Sequence, residues 1–265
     1  MDIGEIFNVI DQMMEDHIIP NIIRRMDILC QRYKFSLGIN QFFRHLQILK
    51  MIALDMDGTL LNSQKKISKA TLEAINKAFN AGKEVVLCTG RCIPELQEYI
   101  EQIKDLRYII GISGALVYDL KEKKEIYINK IPENQVDIIF DAIEGVDVLP
   151  HILSEKSLVQ KGQMENMEYY GMGAYKPLFE KVATPVDNIA EYSIKNKVDV
   201  LKLNLYHAFQ EDREKTRKKL EKENFVMVNA EKTSLEISAA GTTKGTGLAK
   251  LCDYLGIDLS EVISV

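Results

Sequence analysis

No apolar run in these 265 residues approaches the roughly 20 needed to cross a bilayer. The opening MDIGEIFNVIDQMMED carries acids where a secretory leader would carry lysine or arginine, so neither export nor membrane insertion is expected. Positive charge is not in excess either. With 34 basic against 39 acidic residues the formal charge is -5, which offers no positive field to hold a nucleic-acid backbone by counterion release. Cysteines are few: Cys30, Cys88, Cys92 and Cys252 form no CxxC pair of the kind that holds structural zinc or cycles a disulfide. His17, His45, His151 and His207 fit no ligand spacing. These absences leave a reduced, cytoplasmic protein, a monomer or weak homo-oligomer, whose partner is a small molecule and neither nucleic acid nor membrane. The 46% of hydrophobic side chains and the length suffice for one large domain or two smaller ones.

Residues 1–47 mix helical apolar spacing (Ile6, Val9, Ile10, Met13) with a break at Pro20 and a second apolar-basic stretch. They read either as two short helices or as a poorly packed extension, since Met51 would be a natural first residue for the domain beyond them. From Ile48 strand and helix alternate. ILKMIALD is the nearly continuous apolar run of a strand covered on both faces. A helix is expected from an N-cap at Ser68 to a left-handed Gly82. EVVLC, a helix opening at Pro94 and RYIIGI complete strand-helix-strand-helix-strand, the signature of an α/β doubly wound, mostly parallel sheet.

After Gly114 the rhythm changes to short strand pairs (ALVYD, KEIYIN) and a helix whose Val136, Ile139, Phe140 and Ile143 share one face. LKLNL alternates, with Leu201, Leu203 and Leu205 on one side and Lys202 and Asn204 on the other, as in a sheet open on one face. The interleaved charges of QEDREKTRKKLEKEN read as a solvated helix face. A helix opening at Lys244 and the strand EVISV close the chain. The expected division is a core of residues 48–115 and 237–265 with an inserted α+β domain over 116–236.

Chemistry concentrates in ALDMDGTLL, where Asp55 and Asp57 stand two apart beyond a buried strand, at the edge where open α/β sheets bind ligands. Gly58 lets backbone approach a phosphate with no side chain between. A calcium loop of the D-x-D-x-D-G kind would need glycine at position 60 and a preceding helix; Leu60 and a strand stand there. A lysine opening a helix, as Lys244 does, is unfavourable against the helix dipole and is better explained by a nearby anion.

DMDGT after an apolar strand, TGR at Thr89 to Arg91 after the next, and TKGTGL at Lys244, in this order and with a second domain between Thr89 and Lys244, resemble the haloacid dehalogenase superfamily, in particular its class IIB or Cof-type sugar-phosphate phosphatases. The resemblance runs from about Ile48 to the last residue. It implies a Mg2+-dependent phosphatase acting on a small phosphorylated metabolite, with Asp55 as nucleophile and metal ligand and Asp57 as proton donor and acceptor, its carbonyl a second metal ligand. A task of that kind favours a raised Asp57 pKa. Thr89 would donate to a phosphoryl oxygen and Lys244 would offset charge. Gly58, Thr59, Gly90, Arg91, Ser113 and Gly114 would line the phosphate site, although relatives mostly carry Asn where Ser113 stands. Lys202 and Asn204 would meet the leaving group; a solvated strand face is the alternative.

Cys88 and Cys92 flank the threonine as packing residues. A phosphomutase, or an inactive phosphosugar-binding protein, shares these features. In relatives the strand matching EVISV runs into a Gly-Asp-x-x-Asn-Asp loop that completes the magnesium site. The sequence ends at Val265, so the expectation is weak metal binding and little activity, restored in a chain extended through that loop.

Overall fold

The computed structural model describes residues 49–265; the helices read within residues 1–47 lie outside the described residues. Two six-stranded sheets make up the framework. The first holds β1 (Met51–Leu54), β2 (Glu84–Cys88), β3 (Tyr108–Gly111), β4 (Leu116–Asp119), β5 (Lys124–Ile128) and β12 (Val262–Ser264), in the order β12-β1-β2-β3-β4-β5. The strands from β12 to β3 run parallel, and β4 and β5 add an antiparallel hairpin at one edge.

Of the parallel strands, β1, β2 and β3 are largely buried on both faces because their apolar residues point alternately to two helix layers, while β12 at the edge is only partly covered. Leu54, Val85, Leu87 and Ile109 pack beneath α1 (Lys69–Asn80) and α2 (Gln97–Gln102), with Ile75 and Tyr99 among their partners. Met51, Ala53, Val86 and Ile110 face Leu251 and Cys252 of a C-terminal helix. The Ser68 hydroxyl caps α1 by accepting the Thr71 amide at 3.0 Å, and Gly82 follows in the left-handed region at φ +71°. The helix expected at Pro94 begins as a 3-10 turn, Ile93–Leu96, before continuing as α2.

The second sheet comprises β6 (Val148–Leu153), β7 (Ser157–Gln160), β8 (Thr184–Val186), β9 (Lys202–His207), β10 (Phe225–Val228) and β11 (Ser234–Ala239), ordered β10-β11-β9-β6-β7-β8. One face buries Ile152, Leu203, Leu205, Leu235 and Ile237 in a core shared with residues of α3 (Glu133–Ala142), α6 (Ile189–Lys195) and α7 (Gln210–Leu220). The other face carries Leu149, Val159 and Tyr206 and is covered by Met167, Tyr170, Met172 and Phe179, from the segment that holds α4 (Lys161–Met164) and α5 (Lys176–Val182).

Two expectations change here. The sheet boundary falls after β5, later than residue 116, because the hairpin of β4 and β5 pairs with β3 and extends the first sheet. β11, which runs to Ala239, belongs wholly to the second. The polar side of β9 is not open either: every residue of that strand is buried, since the segment between β7 and β8 and the first domain close over it. The second domain is therefore a cap seated on the carboxyl edge of the first. Leu153 and Leu201 of the cap pack with Cys92, Ile112, Ala115 and Leu116 at the junction.

Candidate active site

The carboxyl ends of β1, β2 and β3 converge with the start of α8 (Lys244–Leu255). Asp55 follows β1 directly, its amide donating to the Val265 carbonyl at 2.9 Å. The turn after it closes locally: Leu60 donates to the Asp55 carbonyl at 3.1 Å, and Leu61 to that of Met56 at 2.9 Å. Gly58 holds φ +80°, with open space where a side chain would stand, so ligand can reach the backbone at Gly58 and Thr59.

Lys244 Nζ donates to Asp55 Oδ1 at 2.5 Å, and both side chains are partly exposed. The contact requires α8 to come very close to the turn after β3. A β-carbon on Gly114, at φ +95°, would lie 2.0 Å from the Thr243 carbonyl oxygen, and one on Gly247 would lie 2.7 Å from Ile110. Glycine at both points lets the helix start reach the sheet edge. Thr243 caps that helix through the Thr246 amide at 2.9 Å.

Thr89, buried at the end of β2, accepts the Arg91 amide on its hydroxyl oxygen at 3.3 Å, which leaves its own hydrogen free to donate. Its carbonyl accepts the Ser113 amide at 2.9 Å, fixing the two loops together. Ser113 is itself in the left-handed region, at φ 58°.

Asp57 differs from expectation. Arg91 grips it with two bonds (Nε to Oδ2 3.0 Å, Nη2 to Oδ1 2.8 Å), and Lys65 Nζ adds a third at 2.7 Å. Burial alone would raise this carboxyl, but the hydrogen bonds from Arg91 and Lys65 outweigh it and hold the pKa below the ordinary value. Arg91, whose expected partner is a phosphate, here lies on Asp57 and over the Tyr99 ring. Cys88 is kept a thiol, its pKa pushed up to about 11 by burial, which suits packing and not catalysis.

From the cap, the Lys202 ammonium is buried and donates to the Gly90 carbonyl at 2.9 Å, to Ser113 Oγ at 3.3 Å and to Glu236 Oε2 at 3.2 Å. Asn204 is buried on the same strand face, its amide nitrogen donating to Tyr206 Oη at 3.1 Å while Oδ1 has no partner among the described residues. Asp55, Asp57, Thr89, Gly90, Arg91, Ser113, Lys202 and Lys244 thus lie around one edge, whereas Asn204 bonds within the cap. Sequence patterning did not reveal Lys65, Glu95, Tyr175, Glu236 or His151. Lys65 is turned back over Asp57 by an Asn62 side-chain turn, with Tyr175 beside its ammonium, and the sequence marks the turn but not its direction.

Among the described residues no three or more His, Cys, Asp and Glu side chains cluster as a ready-made metal cage. The donors at hand are oxygens: the Asp55 carboxylate and the Asp57 carbonyl, which accepts none of the turn's backbone amides. Two hard oxygens suit a divalent cation that keeps several waters and shares phosphate oxygens.

The model of the haloacid dehalogenase-like hydrolase family matches residues 52–265. The chain is 27% identical over 225 residues to the 5-amino-6-(5-phospho-D-ribitylamino)uracil phosphatase YcsE of Bacillus subtilis, covering 82% of this chain and 76% of that one. A haloacid dehalogenase-like hydrolase from B. subtilis superposes with a TM-score of 0.70 at 22% identity, covering 82% of each chain. The subclass IIB sugar phosphatase BT4131 does so with a TM-score of 0.65 at 20% identity, over 81% of this chain and 79% of its own. These structural likenesses agree with the mixed α/β fold described above.

Proposed function

The chain belongs to the haloacid dehalogenase-like hydrolase family and is a phosphatase, and we propose that it hydrolyses small phosphate monoesters, sugar phosphates foremost, with magnesium and through an aspartyl-phosphate on Asp55. The observation that carries this reading is the contact of Lys244 with Asp55 at the carboxyl end of β1. An ammonium there stabilises a carboxylate nucleophile next to an incoming dianion, where two negative groups would otherwise repel.

Asp55 attacks phosphorus as the bond to the leaving oxygen breaks, and Asp57 supplies the proton that oxygen needs. Water then attacks the phosphoryl-enzyme, giving its proton to Asp57 and releasing Asp55. Thr89, with its hydroxyl hydrogen free, donates to a phosphoryl oxygen, and the backbone at Gly58, Thr59, Gly90 and Gly114 offers close approach. Arg91 and Lys65 hold Asp57 as a carboxylate in the free enzyme, the form that accepts a proton from water. Donation in the first step needs the phosphoryl group to draw off those two cations, so that Asp57 takes up a proton from solvent before passing it to the leaving oxygen. Magnesium, held by the Asp55 carboxylate and the Asp57 carbonyl, would supply positive charge to the phosphoryl oxygens. Asn204, with its free amide oxygen, is the cap residue suited to a hydroxyl of the leaving group. A relative named for a phosphorylated ribityl compound supports such a polyol.

A screen of sugar phosphates, nucleotides and cofactor phosphates with and without magnesium tests this reading. Magnesium-dependent phosphate release that is lost in Asp55→Asn is expected. Release that persists in that variant would overturn the covalent route, and none from the parent on any substrate would overturn the function.

A further inference from the structure

We infer that Lys202, although it sits in the cap, is a positioning residue for the phosphoryl-binding loop and not a ligand for the leaving group. The inference rests on the phosphatase reading and deepens it. An ammonium has three hydrogens to give, and Lys202 has three acceptors: the Gly90 carbonyl, Ser113 Oγ and Glu236 Oε2. None is left over for a substrate. The side chain is 2% exposed, and a charge buried that deeply is retained only where paired and fully hydrogen-bonded; Glu236, on the neighbouring strand β11, is the partner.

The two core acceptors are the groups that frame Thr89. Gly90 follows it in the chain, and the Ser113 amide is bonded to its carbonyl. A β-carbon on Gly90 would lie 3.3 Å from Lys202 Nζ and 3.4 Å from Ser113 Oγ, so glycine leaves just the space the ammonium occupies. A second polar contact grips the same segment further on. Ser157 Oγ of the cap donates to Glu95 Oε1 at 3.4 Å, while Glu95 Oε2 accepts the Cys92 amide at 3.2 Å. The stretch from Thr89 to Glu95 is therefore held by the cap at both ends, and Arg91, which cradles Asp57, lies between the two grips. Seating the cap fixes the phosphoryl-binding hydroxyl and the cradle of the proton-transfer carboxylate together.

A loop-positioning lysine and a leaving-group ligand respond differently to the size of the leaving group. Steady-state kinetics of the full chain with acetyl phosphate, whose leaving group is too small to fill the cap, and with a hexose phosphate separate them. For Lys202→Met, which keeps the length and removes the donors, kcat/KM should fall by about ten- to a hundredfold, the order expected for misplacement of a binding group. The factor should be the same for both substrates within about threefold, with the loss mainly in kcat. Lys202→Arg, which retains donors, should recover part of it. A loss confined to the hexose phosphate, or carried by KM alone, would overturn the inference.

Should Lys202→Met fail to give folded protein by circular dichroism, Ser113→Ala carries the test. It removes one acceptor from the core side, and a smaller loss, again equal for the two substrates, is expected; a substrate-dependent loss overturns the inference. An inactive parent would instead defeat the phosphatase reading itself, so the two failures are distinguishable.

Discussion

Gly114 and Thr243 approach so closely that a single β-carbon on the glycine would lie 2.0 Å from the threonine's carbonyl oxygen. Gly114 also needs its φ of +95°, which other residues adopt only with strain. Because Lys244 follows Thr243, this contact sets how far the ammonium reaches over the sheet edge to Asp55. Gly114→Ala should push the start of α8 outward and lower kcat/KM by about a hundredfold, with a loss of stability on the order of 1–3 kcal/mol from backbone strain and overpacking. Thermal melts and kinetics read both. Parent-like activity would mean that Lys244 is not placed by this contact.

Asp55→Asn should abolish turnover while leaving the fold intact, since it removes the proposed nucleophile with almost no change in volume. Residual activity within about tenfold of the parent, a loss of only roughly 1.4 kcal/mol, would rule out covalent catalysis.

Lys244→Ala should lower the rate by roughly two to three orders of magnitude, as for loss of one preorganised electrostatic donor. An unchanged rate would make Lys244 an ordinary surface lysine.

Much of this was legible in the sequence because it arises from local patterns. The runs of β1, β2 and β3, the Ser68 cap and the left-handed Gly82 each carry their own signal. The TGR and DMDGT segments lie at strand ends, so topology alone brings them to one edge. The features that escaped depend on distant pairing. ALVYD and KEIYIN alternate in the same way whether they belong to core or cap, and only pairing with β3 assigns them. The covering of the β9 polar face comes from a segment with short helices and little periodicity. The lowered Asp57 pKa is due to Arg91 and Lys65, 34 and eight residues away in the chain, whose directions no local pattern fixes.

Asn204 is 5% exposed with an amide oxygen that has no partner among the described residues, a state that costs free energy unless a ligand completes it. Asn204→Leu should leave the melting temperature unchanged or raise it, while weakening discrimination among leaving groups that differ in one hydroxyl. Comparison of kcat/KM across a set of deoxy sugar phosphates reads this. An unchanged ranking of substrates would remove Asn204 from the leaving-group site.

His151 offers a test through stability. It is fully buried, with Nε2 2.7 Å from Ser157 Oγ and the ring 4.6 Å from that of Phe179. Burial, helped by the Lys202 charge, lowers its pKa from 6.5 to about 3. Glu95 Oε1 lies 3.8 Å from Nε2, and burial raises the pKa of that carboxyl too. A histidine neutral in the folded state and protonated in the unfolded one destabilises the fold as pH drops. The contribution of His151 is therefore complete above pH 6.5 and is lost progressively toward pH 3. The stability of the parent relative to His151→Gln should fall by about 1.4 kcal/mol for each pH unit within that window. Glu95 acts with the opposite sign, favouring the fold at low pH and losing that contribution as pH rises through its raised pKa, but it is common to parent and variant and largely cancels in the difference. Urea titrations of both proteins between pH 7 and pH 5 give the quantity directly. A difference that stays flat across that range would mean that the ring takes up a proton in the folded protein, and that the junction of cap and core is open enough to admit water.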